Sequence, residues 1–171
     1  MSRGNLIGLS GSAAVLAGSL RAGTSFLSSV QPSHLVELLY RVIDVSILLG
    51  LLGIYAYQNE EVGVLGLVGF LMALVGTAIL VGPDGMIGGV DMYAVGAFLL
   101  SIGLAVFSIS LWRADGLSRW VPTSWRLSTA FGLGGPIVGA PVLLLIAGLS
   151  FGLGFVIAGF GLWMDPSLRR S

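Results

Sequence analysis

The sequence predicts an all-α fold, a polytopic transmembrane helical bundle forming a single domain over residues 1–171. Three observations carry that expectation. Of the residues, 56% are hydrophobic and only 9% charged, whereas a water-soluble chain covers its surface with about 25% charged residues. Mean hydropathy is +0.99. Apolar runs also recur at lengths that, as helix, cross a hydrocarbon core of about 30 Å.

The first run extends from Asn5 to Val30. It is too long for a signal peptide and lacks a clear cleavage site, so it reads as a span. "QPSH", Gln31 to His34, interrupts it, with Pro32 as punctuation and Ser33 as a candidate helix cap. A second span covers Leu35 to Tyr57 and ends in polar "QNEE". The third, Val62 to Gly82, is uncharged. "GPDGMIGGVD" follows as a Gly- and Asp-rich turn, and the fourth span, Met92 to Trp112, is free of charge before its closing tryptophan.

The segment Trp112–Arg126, "WRADGLSRWVPTSWR", concentrates Trp112, Arg113, Arg119, Trp120, Trp125 and Arg126. Amphipathic rings beside cations suit the headgroup zone, so these residues read as an interfacial anchor, with a site for anionic lipid or a partner as the functional alternative. Leu127 to Met164 then runs 38 residues without charge. As one straight helix it would measure about 57 Å, far beyond the bilayer. It must break, and "GGPIVGAP" with Pro136 and Pro141 offers one place, "AGLS" at Ala147–Ser150 another.

Charge chooses between span counts. Six spans put Arg3, Arg113, Arg119, Arg126, Arg169 and Arg170 on one side and Arg21 and Arg41 on the other. That division follows the positive-inside tendency and makes both termini cytoplasmic. Five spans, with a broken or re-entrant segment near Pro136 and Pro141, divide the eight arginines equally and give no preference. "SLWRADGLSR" and "GLWMDPSLRR" also read as exits on one face. Six spans is the expectation, the last two helices short or kinked, in the cytoplasmic membrane of a prokaryote.

Small residues mark the packing faces. Without a hydrophobic effect between helices in lipid, residues that let backbones approach closely set the contacts. Gly4, Gly8, Gly11, Gly18, Ala22, Ser25 and Ser29 form such a stripe, interrupted at Val15; Gly66, Gly69, Ala73 and Gly76 form a second; Gly148 and Gly152 pair in the last region. These stripes serve contacts within one chain or between copies equally well. "GMIGG" lacks the spacing of a phosphate loop.

The polar stretch "HLVELLYRVID" is the exception to this apolar plan. On a helix His34, Glu37, Arg41 and Asp44 share an arc of about 80°. Glu37 and Arg41 stand in the favoured acid-then-base order, and an unpaired charge at the helix centre costs about 2.5–3.5 kcal/mol. Arg21 lies at matching depth on the preceding span. The five residues Arg21, His34, Glu37, Arg41 and Asp44 thus form a candidate intramembrane polar cluster, read first as a salt-bridge ladder between two helices. Two other readings are a proton, ion or headgroup station and a subunit contact.

Other classes are excluded or weak. Cysteine is absent, and the single histidine with acids committed to arginines makes no metal site. Glu60, Glu61, Asp84 and Asp91 read as solvated loop residues. No catalytic residues and no cofactor are expected, and zero net charge argues against nucleic acid. All eight basic residues are arginines, as a GC-rich genome would produce.

"LLGLLGIYAYQ" (Leu48–Gln58), "GFLMALVGTAIL" (Gly69–Leu80) and "LWRADGLSRW" (Leu111–Trp120) together resemble small multi-span membrane proteins of bacteria, a family to which no activity is attached. The leading functional expectation is a non-enzymatic structural or accessory subunit packing through Gly-rich helix faces. Its partners would be the lipid bilayer and a homo-oligomer or larger membrane complex. The alternative is a small-solute, ion or proton transporter or channel using the Arg/Glu/Asp cluster.

Overall fold

The computed structural model describes residues 3–26, 34–82 and 85–164. Within them the chain forms six α-helices: α1 (Arg3–Thr24), α2 (His34–Gln58), α3 (Gly63–Val81), α4 (Met92–Leu111), α5 (Trp120–Val138) and α6 (Pro141–Met164). Four of these, α1, α3, α4 and α6, are long and apolar enough to cross a membrane, which makes this a membrane-embedded protein. The remaining two carry charged residues, Glu37, Arg41 and Asp44 on α2 and Arg126 on α5, and α5 also has Pro136 in its interior.

Each helix packs on its neighbours in sequence, and α6 returns to α1, so the bundle is a closed ring. Neighbours run antiparallel. On α4 and α5, Arg126 Nη2 donates to the Ser108 carbonyl at 3.1 Å and Thr129 Oγ1 to that of Ser101 at 3.0 Å, so residues rise on one helix as they fall on the other. Trp163 Nε1 donates to the Gly8 carbonyl at 3.2 Å, tying α6 to the start of α1.

Glycine sets the tightest of these contacts. On α1 and α6, Gly11 faces Gly159 and Gly18 faces Gly152. A methyl group added to Gly18 would lie 2.9 Å from the Val156 backbone nitrogen, and one on Gly159 3.0 Å from that of Val15. The same arrangement joins α3 to α4, where Gly69 meets Gly103 and Gly76 meets Gly96. A methyl group on Gly69 would stand 2.8 Å from the Phe107 Cα, and one on Gly103 equally close to that of Ala73. Gly50 and Gly53 of α2 rest on Ala14 and Ser10 of α1. The small-residue stripes at Gly11, Gly18, Gly66, Gly69, Gly76, Gly148 and Gly152 are therefore occupied inside the chain. Buried hydroxyls add little between helices: Thr77, Ser108 and Ser46 each donate to the carbonyl four residues back on their own helix.

Several boundaries differ from the sequence reading. The first helix ends at Thr24 rather than Val30; Leu27 to Ser33, with the Ser33 cap, Ser29 and Pro32, lies outside the described residues, as do Asp84, Arg169 and Arg170. The Gly-rich turn contains a small antiparallel hairpin, β1 (Met86–Ile87) with β2 (Val90–Asp91), pairing Met86 with Asp91 and Ile87 with Val90. Its two-residue loop places Gly88 and Gly89 at φ of 60° and 83°, the doubly positive backbone that suits a two-residue hairpin. Asp91 is not a free loop acid: its carboxylate accepts from the Tyr93 and Ala94 backbone N–H groups and caps α4.

The final apolar region breaks once, at Gly139, whose φ of 67° ends α5 in the left-handed conformation typical of helix C-termini. Pro141 opens α6, where its missing N–H has no helical partner to lose. Pro136 stays within α5, and Ala147–Ser150 lies inside a continuous 24-residue α6, so α6 is not short.

Replacing Gly103 by Val should destabilise the bundle by about 1–3 kcal/mol through overpacking. Gly23→Ala, where a methyl group meets nothing within 4 Å, should be neutral or slightly stabilising. Thermal unfolding in detergent, followed by circular dichroism, checks both; equal effects would contradict the glycine contacts.

Candidate functional site

The ring is filled differently in its two halves. Toward the start of α1 and the end of α6, large aromatic side chains meet across the middle. Tyr55 of α2 stacks on Phe70 of α3 with centroids 4.1 Å apart. Phe70 lies 6.3 Å from Phe107 of α4, Phe107 6.2 Å from Trp125 of α5, and Trp125 5.0 Å from Phe155 of α6. Phe151 continues the series one turn along α6. Each of α2 to α6 thus contributes to one aromatic layer, and Phe107, Trp125 and Phe155 are fully buried.

In the other half Ala97, Ser101, Ser128, Gly132, Ala147 and Gly148 stand among larger side chains such as Tyr93, Phe98 and Leu144, and the wall they form leaves a cavity of about 700 Å³. All six helices line it, and Phe151 joins its wall to the aromatic layer. Its charged residues are Arg21 from the last turn of α1 and Asp44 from the third turn of α2, with Tyr40 one turn before Asp44. Pro136 contributes indirectly. Lacking an N–H, it leaves the carbonyl of Gly132, a cavity residue, without the donor a regular helix would supply.

The five-residue polar cluster expected from the sequence divides in two. Glu37 and Arg41 pair with each other along α2, Arg41 Nη2 to Glu37 Oε1 at 2.9 Å, with side chains 53% and 44% exposed. They lie on the outside of the ring with His34, also exposed, so they do not form a ladder reaching α1. An exposed pair of this spacing contributes at most about 1 kcal/mol. Arg21 and Asp44 instead share the inner cavity wall.

The predicted interfacial anchor also separates. Trp112, Arg113, Arg119 and Trp120 are exposed, and the Arg126 guanidinium lies 5.0 Å from the Trp112 ring centroid while donating to Ser108. Trp125 departs from the expectation. It is 0% exposed and belongs to the aromatic layer, because α5 already begins at Trp120 and turns Trp125 inward. The aromatic layer and Tyr93 on the cavity wall escaped the sequence reading; the one-per-helix spacing of Tyr55, Phe70, Phe107, Trp125 and Phe155 was the available signal. Among the described residues, no group of three His, Cys, Asp or Glu side chains could hold a metal.

The buried Trp125 Nε1 has no hydrogen-bond acceptor and points toward Gly154. Trp125→Phe should therefore cost little, since it keeps the ring contacts and removes an unsatisfied donor. Trp125→Ala should cost about 3–5 kcal/mol through the space it opens. Unfolding midpoints of the two variants check this, and equal losses would contradict ring packing as the role of Trp125. No family model, curated protein or solved structure matches this chain.

Proposed function

We propose that this protein is a six-span membrane protein of the transporter or channel class, whose cavity receives a small solute from one side of the bilayer. The observation that carries the reading is a cavity to which all six helices contribute, with Arg21 and Asp44 in its wall and the aromatic layer filling the opposite half. Ionisable residues that face a cavity inside an apolar bundle are costly, and are commonly part of a solute or ion path. A structural subunit joined to partners through its glycine faces is less well supported, because those faces pack α1 on α6 and α3 on α4.

Six spans accommodate α2 despite its charges. Its 25 residues measure about 37 Å, longer than a hydrocarbon core of about 30 Å. The excess carries His34 and Glu37 beyond the core and lets the long Arg41 side chain reach the headgroups. Arg113 and Arg119 lie between α4 and α5, at the end of the ring farther from the cavity. By the positive-inside tendency that end is cytoplasmic, and the cavity opens to the opposite face of a prokaryotic cytoplasmic membrane.

The absence of cysteine makes this reading accessible to labelling. In proteoliposomes of defined orientation, Ser101→Cys and Ser128→Cys should react with a membrane-impermeant methanethiosulfonate applied to the non-cytoplasmic side. Ser108→Cys, beside the aromatic layer and fully buried, should remain unlabelled from either side. Labelling of the cavity positions from the cytoplasmic side, or from neither, would contradict a cavity open to one face.

A further inference from the structure

We infer that the cavity binds an amphiphilic acid, a carboxylate or phosphate head held at Arg21 with an apolar body against the walls supplied by α5 and α6; this rests on the cavity reading above. Size sets the first limit. A space of about 700 Å³ is that of an organic ligand, and is far larger than a cage for a bare ion.

Polarity sets the second. Arg21, Tyr40 and Asp44 come from α1 and α2, whereas Leu133, Leu145 and Phe151 come from α5 and α6. The wall from α1 and α2 carries the charged groups, whereas the wall from α5 and α6 is mostly apolar, Ser128 and the Gly132 carbonyl being its polar points. A solute polar all round would leave its hydrogen-bonding groups unmet on the apolar side, at the full cost of their desolvation. A hydrocarbon would leave the arginine side unmet. A molecule polar at one end and apolar along its length meets both.

The hydrogen-bonding inventory selects the head. Thr24 Oγ1 and Ser25 Oγ donate to the Arg21 carbonyl, both at 3.0 Å, and Ser101 Oγ to the Ala97 carbonyl at 2.8 Å. These cavity hydroxyls already spend their protons on the backbone. Asp44 is engaged within the protein. The guanidinium of Arg21 carries five N–H donors in a planar fork, more than one carboxylate can accept. Its geometry matches the paired oxygens of a carboxylate or phosphate, which bind two of those donors at once. Around Arg21 the wall therefore offers donors in excess of acceptors, and an acidic head supplies what is missing.

The test measures binding to the purified full chain in nanodiscs. The probes are 11-(dansylamino)undecanoic acid, read by its fluorescence, with short-chain lysophosphatidic acid and inorganic phosphate as competitors. The dansyl acid should bind saturably. Arg21→Gln should weaken it at least tenfold, Arg21→Lys less, and Ala97→Leu, which fills the cavity, should abolish it, with unfolding midpoints reporting that each variant is folded. Competition by lysophosphatidic acid at concentrations similar to the dansyl acid would extend the head to phosphate; its failure would restrict the ligand to free carboxylates. Inorganic phosphate, without an apolar body, should not compete.

Binding lost in Ala97→Leu yet unchanged in Arg21→Gln and Arg21→Lys would overturn head recognition while leaving a cavity site. Saturable binding indifferent to Ala97→Leu, or no saturable binding, would overturn the inference. One-sided labelling of Ser101→Cys and Ser128→Cys would then show whether the cavity reading falls with it. Equal competition by inorganic phosphate would overturn the amphiphilic part of the assignment.

Discussion

Close approach of antiparallel backbones at glycine is the constraint on which the rest of the structure depends. In lipid, apolar side chains gain little by leaving one apolar surface for another, so helix association rests on contact quality. At Gly11–Gly159 and Gly18–Gly152 the bundle closes from its last helix onto its first; Gly69–Gly103 and Gly76–Gly96 make the same contact between α3 and α4. Dispersion over many atom pairs is weak per pair and large in sum, and it falls steeply when surfaces separate. A side chain at any of these positions would push a backbone away and loosen the ring.

With two helix pairs fixed in this way, the remaining interior is shaped by side-chain size. Tyr55, Phe70, Phe107, Trp125 and Phe155 meet across one half, while in the other alanine, serine and glycine interrupt the larger side chains and leave space between them. The cavity follows from that contrast along the bundle axis. Its charges follow from helix angle. Asp44 lies at the edge of the α2 polar arc nearest Tyr40 and Ile47, both cavity residues, whereas Glu37 and Arg41 lie toward the outside. Two successive turns of α2 thus supply both an outer ion pair and an inner carboxylate.

Much of the helical plan was legible in the sequence. The spans at Leu35–Tyr57, Val62–Gly82 and Met92–Trp112 match α2, α3 and α4 to within a residue at each end, because turns with Gly, Pro or clustered acids flank long apolar runs. The α5–α6 break was ambiguous because two prolines and a small-residue turn competed, and only the left-handed Gly139 ended the helix. Trp125 was misplaced for a geometric reason. Five residues beyond Trp120 is a rotation of about 140°, enough to carry one tryptophan outward and the other into the core. Glycine stripes were visible, but their partners were not. The unread clue was a shared seven-residue spacing, Gly11/Gly18, Gly69/Gly76, Gly96/Gly103 and Gly152/Gly159, which matches one helix to another over two turns. Helix angle grouped the polar residues of α2 in one arc, but angle alone did not say that the arc straddled the boundary between the ring's inside and outside.

Ring closure within a single chain is tested most directly by cross-linking α1 to α6. Val15 and Val156 both lie at their glycine contact, Val15 against Gly159 and Val156 against Gly18. In the naturally cysteine-free chain, a Val15→Cys/Val156→Cys double variant treated with a short thiol cross-linker should give a linked monomer of altered gel mobility. Mixing the two single variants should then give no heterodimer. A cross-linked dimer from the mixture, with no linkage inside the double variant, would mean that these glycine faces join separate chains, and the closed ring would be contradicted.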